Sequence, residues 1–210
     1  MIFESQKVIF IHINKTGGGS IEKALLREFT PEKIHWDDEN EFGYGNHQDL
    51  KKHISQGVDL DKYFKFSIIR NPWDKMVSLY YFRKQGGTKG KTKNGTDVCN
   101  FNEWVDSIDE FRQDRRGHTN QYDWLSDFEG KIRIDFTMKF ETIESDWAKV
   151  ANILKLKHAK LPHIHKAKLR NNSDYRDYYK KLNGDYDYEF IEKVARLFSK
   201  DIDYFGYIFD

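Results

Sequence analysis

The sequence predicts an α/β fold, a three-layer sandwich around a mainly parallel sheet, and three observations predict it. Val8-Ile9-Phe10-Ile11-His12-Ile13 is a nearly unbroken, β-branched apolar run of the kind buried on both faces of a parallel sheet. Twice such a run leads through a glycine- or proline-marked turn into apolar residues at helical spacing. With 210 residues, 38% of them hydrophobic and 16% aromatic, the chain can fill one core, so a single domain over 1–210 is expected.

The elements follow in order. After the first strand, Asn14 to Gly19 break the pattern, and Ile21, Ala24, Leu25 and Phe29 mark a helix that Ser20 can cap. Residues 30–62 have weaker periodicity, with Trp36, Phe42, Gly43, Tyr44 and Gly45 suggesting irregular structure before a short helix near Gln48–Ile54. Phe64 to Ile69 form the second strand. Asn71 is placed as the cap and Pro72 as the first residue of a helix whose inner stripe is Trp73, Met76, Val77, Tyr80 and Tyr81. Gly86, Gly87, Gly90 and Gly95, interleaved with Lys89, Lys91 and Lys93, make 85–97 a mobile loop. Phe101, Trp104, Val105 and Ile108 mark another helix, and Tyr122, Leu125 and Phe128 a shorter one. Ile132, Ile134, Phe136, Met138 and Phe140 alternate with polar residues as a strand. Thr142 can cap a helix that buries Ile143, Trp147, Val150 and Leu154, and a final helix covers 186–199.

Charge narrows the function. With 35 basic and 34 acidic residues the net charge is +1, which excludes the broad positive field of a general nucleic-acid binder and makes any anion site local. The single cysteine, Cys99, rules out an intramolecular disulfide or a cysteine metal cluster. No apolar run approaches the roughly 20 residues that span a bilayer, so a cytoplasmic protein is expected.

Ligands of open parallel sheets bind at the carboxyl ends of strands, where helix N-termini present N–H groups. Lys15-Thr16-Gly17-Gly18-Gly19-Ser20 places a cation, two hydroxyls and three glycines there, which suits a phosphate-like group; the alternative is a glycine turn with no ligand. A Walker loop puts its Lys after the glycines, so ATP or GTP binding loses ground. Arg70 at the second strand end, with Ser78 one helical turn beyond Asp74, makes a second anion site; alternatively Arg70 pairs with Asp74 and Ser78 faces water.

Here the residues meet a family. Ile11 to Ser20 resembles the 5′-phosphosulfate loop of sulfotransferases that use 3′-phosphoadenosine 5′-phosphosulfate (PAPS), and Phe66 to Tyr80 resembles their 3′-phosphate motif. Gln121 to Leu125, Lys139-Phe140-Glu141 and Asp203 to Tyr207 resemble later landmarks of the carbohydrate-type branch, which includes chondroitin and dermatan enzymes and bacterial relatives. Asn14 stands where the family usually has Pro, and Lys75 where it usually has Arg, a change of little consequence on a solvent-facing side chain.

The resemblance implies a P-loop-like topology and metal-free transfer of a sulfuryl group from PAPS to an acceptor, commonly a carbohydrate hydroxyl, with release of adenosine 3′,5′-bisphosphate. It implies that Lys15, Thr16, Gly17, Gly18, Gly19 and Ser20 bind the 5′ side, and Arg70 and Ser78 the 3′-phosphate. Arg170 and Ser173, in a late basic stretch, would approach the cofactor. Among the eight histidines His47 is the expected base, with His12, either a core histidine or a second catalytic candidate, behind it. His47, His118 and Gln121 are expected at the acceptor. His158, His163 and His165 lack metal-ligand spacing. The competing readings are a P-loop-type kinase and a non-catalytic nucleotide- or glycan-binding module. The missing anchor predicts a bacterial or viral member acting on a cytoplasmic glycan, lipid-linked sugar or small molecule.

Overall fold

The computed structural model describes residues 1–30, 47–84, 100–106, 108, 119–158, 160–162 and 174–210. The expected 85–97 loop, the stretch around Trp36 to Gly45, and His118, His163, His165, Arg170 and Ser173 lie outside the described residues. In chain order the strands are β1 (Ile2–Phe3), β2 (Val8–Ile11), β3 (Phe64–Ile69) and β4 (Phe136–Lys139). The helices are α1 (Gly18–Phe29), α2 (Leu50–Ser55), α3 (Pro72–Lys84), α4 (Phe101–Asp106), α5 (Gln121–Leu125), α6 (Ile143–Ile153), α7 (Tyr188–Leu197) and α8 (Ser199–Phe205). They divide between two compact units, Met1–Arg70 with Gln121–His165, and Asn71–Asn120 with Lys166–Asp210.

The first unit holds a four-stranded sheet in the order β1-β2-β3-β4. Strands β2, β3 and β4 run parallel, with Phe10 opposite Phe66 and Phe66 opposite Phe136, while β1 runs antiparallel to β2. Ser67 extends the β2–β3 pairing by donating its hydroxyl to the Ile11 carbonyl at 2.7 Å. The continuous apolar character of β2 and β3 follows from their central positions, where both faces are covered. One face, with Val8, Phe10, Phe66, Ile68 and Met138, shares a core with Ile21, Ala24 and Leu25 of α1 and Trp147 and Val150 of α6. Fully burying one such side chain contributes about 1.5–3 kcal/mol.

Three local expectations are corrected. Helix α1 begins at Gly18, with Gly17 in the left-handed conformation as its N-cap, so Ser20 lies inside the first turn and not at the cap. The strand expected from Ile132 is shorter, because the Asp135 carboxylate takes the Lys65 N–H at 2.7 Å and the regular ladder starts at Phe136. Thr142 does precede α6, but its hydroxyl donates to Asp146 Oδ2, which also accepts the Lys139 N–H.

In the second unit α3 starts as expected: Pro72 opens it and the Asn71 side chain accepts the Trp73 N–H at 3.0 Å. Its burial is a correction. Asp74 and Lys75 are buried along with the apolar stripe, and between Asn71 and Tyr81 only Ser78 is half-buried. Lys75, whose replacement of Arg was expected to matter little only on a solvent-facing side chain, is fully buried, donates to the Thr119 carbonyl at 3.1 Å and lies 5.0 Å from the Phe198 ring centroid. Burial pushes its ammonium down to about 8, against the pull of Asp201. Replacing Lys75 by Ala should cost about 2–4 kcal/mol in chemical denaturation, through the cavity it leaves and the loss of its bond to the Thr119 carbonyl. The folded value lies below the unfolded one, so the cost of burying this charge is full below pH 8 and declines as pH rises toward 10.5. Wild type should therefore gain stability over Lys75→Ala across that window.

Candidate active site

The site is built on the first unit, where β2 ends. Past His12 and Ile13 the chain turns sharply: Lys15 has φ 67° and Gly17 φ 88°. Thr16 closes this turn from inside, fully buried and donating its hydroxyl to the Ile13 carbonyl at 2.8 Å. Helix α1 then starts with two glycines and carries no acidic residue in its first turn. The N–H groups of Gly18 and Gly19 have no acceptor within the helix, and the helix dipole adds partial positive charge there.

Two cations meet at this loop. Arg70, at the end of β3, donates from Nη1 to the Lys15 carbonyl at 3.2 Å. Its guanidinium lies 4.0 Å from the centroid of the Phe140 ring. Burial first, and then the charge of Arg70, push the half-buried Lys15 ammonium down to about 8. An anion at the loop would relieve that repulsion.

The supports of Arg70 were not legible in the sequence. Gln121, fully buried, accepts the Arg70 N–H at 2.8 Å and donates its amide to the Arg70 carbonyl at 2.8 Å. It thus clasps the main chain of Arg70. Phe140, which looked like the last inward residue of a strand, also fills the space beside Gly17: a Cβ there would come within 2.9 Å of the ring. One ring therefore braces both the glycine turn and the arginine.

Beside the loop stands a pair of histidines. The imidazole of His12 is nearly buried, stacks on Phe10 and has its ring centroid 4.4 Å from that of His47. His47 Nδ1 lies 3.0 Å from the His12 carbonyl. A carbonyl only accepts, so Nδ1 carries the proton and Nε2 the basic lone pair of neutral His47. Trp124 of α5 stands edge-on to the same ring at 6.5 Å.

Ser78 is on α3 in the second unit. His158 pairs with Glu28 at 3.0 Å, and among the described residues no three His, Cys, Asp or Glu side chains gather as a metal site.

A sequence model of the sulfotransferase family matches residues 1–208. The chain belongs to the sulfotransferase family. Among curated proteins and solved structures no match is found. For a sulfotransferase the glycine loop, Lys15 and Arg70 are the parts that must meet the negative charge of a sulfate donor, and the fold places all three at the carboxyl ends of parallel strands. No described helix of this sulfotransferase is long and apolar enough to cross a membrane.

Proposed function

We propose that this sulfotransferase takes its sulfuryl group from PAPS and passes it to an acceptor hydroxyl, that of a carbohydrate being the class the sequence resemblance implies, by in-line displacement with His47 as general base. The observation that carries the reading is the convergence of Lys15 and Arg70 on a glycine turn at the start of α1. The residues fit the donor: two cations, helix N–H groups and no first-turn acid suit a phosphosulfate with a second phosphate nearby.

PAPS supplies an activated sulfuryl group on a phosphate leaving group. Lys15 and the N–H groups of Gly18 and Gly19 hold the charge that develops on the leaving oxygen, with the Ser20 hydroxyl beside them. Arg70, braced by Phe140 and Gln121, takes the 3′-phosphate, and the sequence motif adds Ser78 to that role. Arg170 and Ser173 are proposed on the cofactor and His118 at the acceptor, from the resemblance alone. His47 Nε2 accepts the acceptor's proton as the new oxygen–sulfur bond forms. The proposed scaffold is the family's P-loop-like one, and no metal takes part.

Labelled PAPS offered with a panel of sugars, lipids and phenols tests this directly. Labelled product that disappears in His47→Ala supports it; binding without product in any arm makes the protein a binding module. Arg70→Ala should weaken affinity for adenosine 3′,5′-bisphosphate about 10- to 100-fold, read by calorimetry. Unchanged affinity would place the 3′-phosphate elsewhere.

A further inference from the structure

Glu22 lies on α1, next to the apolar stripe, yet it is 6% exposed. Its Oε1 sits 3.0 Å from Nδ1 of His12. Both atoms are buried and make no hydrogen bond among the described residues, so this 3.0 Å ion-pair contact is what each has for a counterpart. A buried carboxylate without a cation or donor is costly, and a lone buried imidazole nitrogen is little better.

His12 is in turn wedged between the two halves of the site. On one side is the glycine loop: a Cβ built on Gly18 would fall 2.2 Å from His12 Cδ2 and 2.5 Å from Nε2. On the other is His47, which meets the His12 ring at 4.4 Å between centroids and reaches its carbonyl at 3.0 Å. Main chain and side chain of one residue thus set both the tautomer and the angle of the proposed base.

We propose that Glu22 is a positioning residue for sulfuryl transfer, which through its ion pair with His12 fixes the orientation and proton affinity of His47. The inference rests on His47 being the base. The arrangement follows the logic by which a carboxylate orients the histidine of a hydrolytic triad, with a second imidazole interposed.

The sign of the effect follows from charge. Glu22 contributes negative charge beside two imidazoles whose ring centroids lie 4.4 Å apart. Other groups act on that pair. The Met1 amine, pushed down to about 6 by burial, interacts with Glu22 and with His53 of α2, while Lys15 lies three residues after His12 with Arg70 at its carbonyl. Lys15 and Arg70 are cations, so Glu22 opposes them. Replacing it by Gln removes the favourable charge, and His47 should release its proton at lower pH.

The test is a pH series of long-range proton–nitrogen spectra on histidine-labelled protein, with His12→Asn and His47→Ala for assignment. In wild type, neutral His47 should carry its proton on Nδ1. In Glu22→Gln the titration of His47 should move down by about one pH unit. With PAPS and the best acceptor, kcat should fall roughly 10- to 100-fold while KM for PAPS stays within about twofold, and Glu22→Asp should recover part of the loss. An unmoved His47 titration in Glu22→Gln overturns the proposal, and so does a wild-type His47 protonated on Nε2 in its neutral form, which needs no variant to fold. Both spectral readouts are independent of whether adenosine 3′,5′-bisphosphate binds, so failure of the PAPS reading is told apart by calorimetry on wild type.

Discussion

Replacing Lys15 by Ala should lower turnover with PAPS by about 100- to 1000-fold, the size of effect seen when one donor to a developing oxyanion is removed. The ammonium is placed by a left-handed turn at the mouth of the glycine loop, and no first-turn acid competes for it. Affinity for the product nucleotide should fall too, by less, because the charge on the leaving phosphate is greatest as the sulfur–oxygen bond breaks. The lowered pKa adds a pH signature. Below about pH 8 Lys15 is charged and ready for an anion; above it the unliganded ammonium loses its proton. Nucleotide affinity of wild type should therefore weaken as pH rises through that value, with proton uptake on binding, while Lys15→Ala should show no such step. Calorimetry in two buffers of different ionisation heat reads both effects.

Gly18→Ala should be nearly as damaging, for a steric reason. The new methyl would sit 2.2 Å from the His12 ring, and that ring has nowhere simple to go: Glu22 holds Nδ1, Phe10 stacks on it and His47 meets its edge. Either the helix start or the histidine must shift. Overpacking of this kind costs about 1–3 kcal/mol of stability. Displacement of the paired histidines from the loop should cut turnover by at least about 100-fold, since misplacement near 1 Å at a reacting centre has effects of that order. Near-normal turnover in a folded Gly18→Ala would mean that His12 and His47 do not work from the positions described.

Much of this centre was open to reading because its signals are local. Lys15, the glycines and Arg70 each interrupt an apolar run at a strand end, and Asn71-Pro72 announces the next helix in two residues. His47 came only through the family resemblance. The parts that could not be read depend on partners far away in the chain. Gln121 reaches back 51 residues to the main chain of Arg70, and nothing in its neighbours signals an amide clasp. Phe140 ended an alternating pattern that made it look like ordinary core. Glu22 follows Ile21 and should by periodicity have faced water; it is held inside by a histidine that strand alternation had marked as a core residue. Lys75 reads as surface on any amphipathic wheel, but α3 is covered on nearly every side, so the wheel has no polar face to offer it.

The most direct test is titration of the wild-type protein with adenosine 3′,5′-bisphosphate near neutral pH, in buffer freed of divalent metal by a chelator. Binding in the micromolar range or tighter, unchanged when magnesium is restored and lost in the Lys15→Ala, Arg70→Ala double variant, is the expected result. Absence of binding, or recognition of magnesium–ATP in its place, would contradict the account.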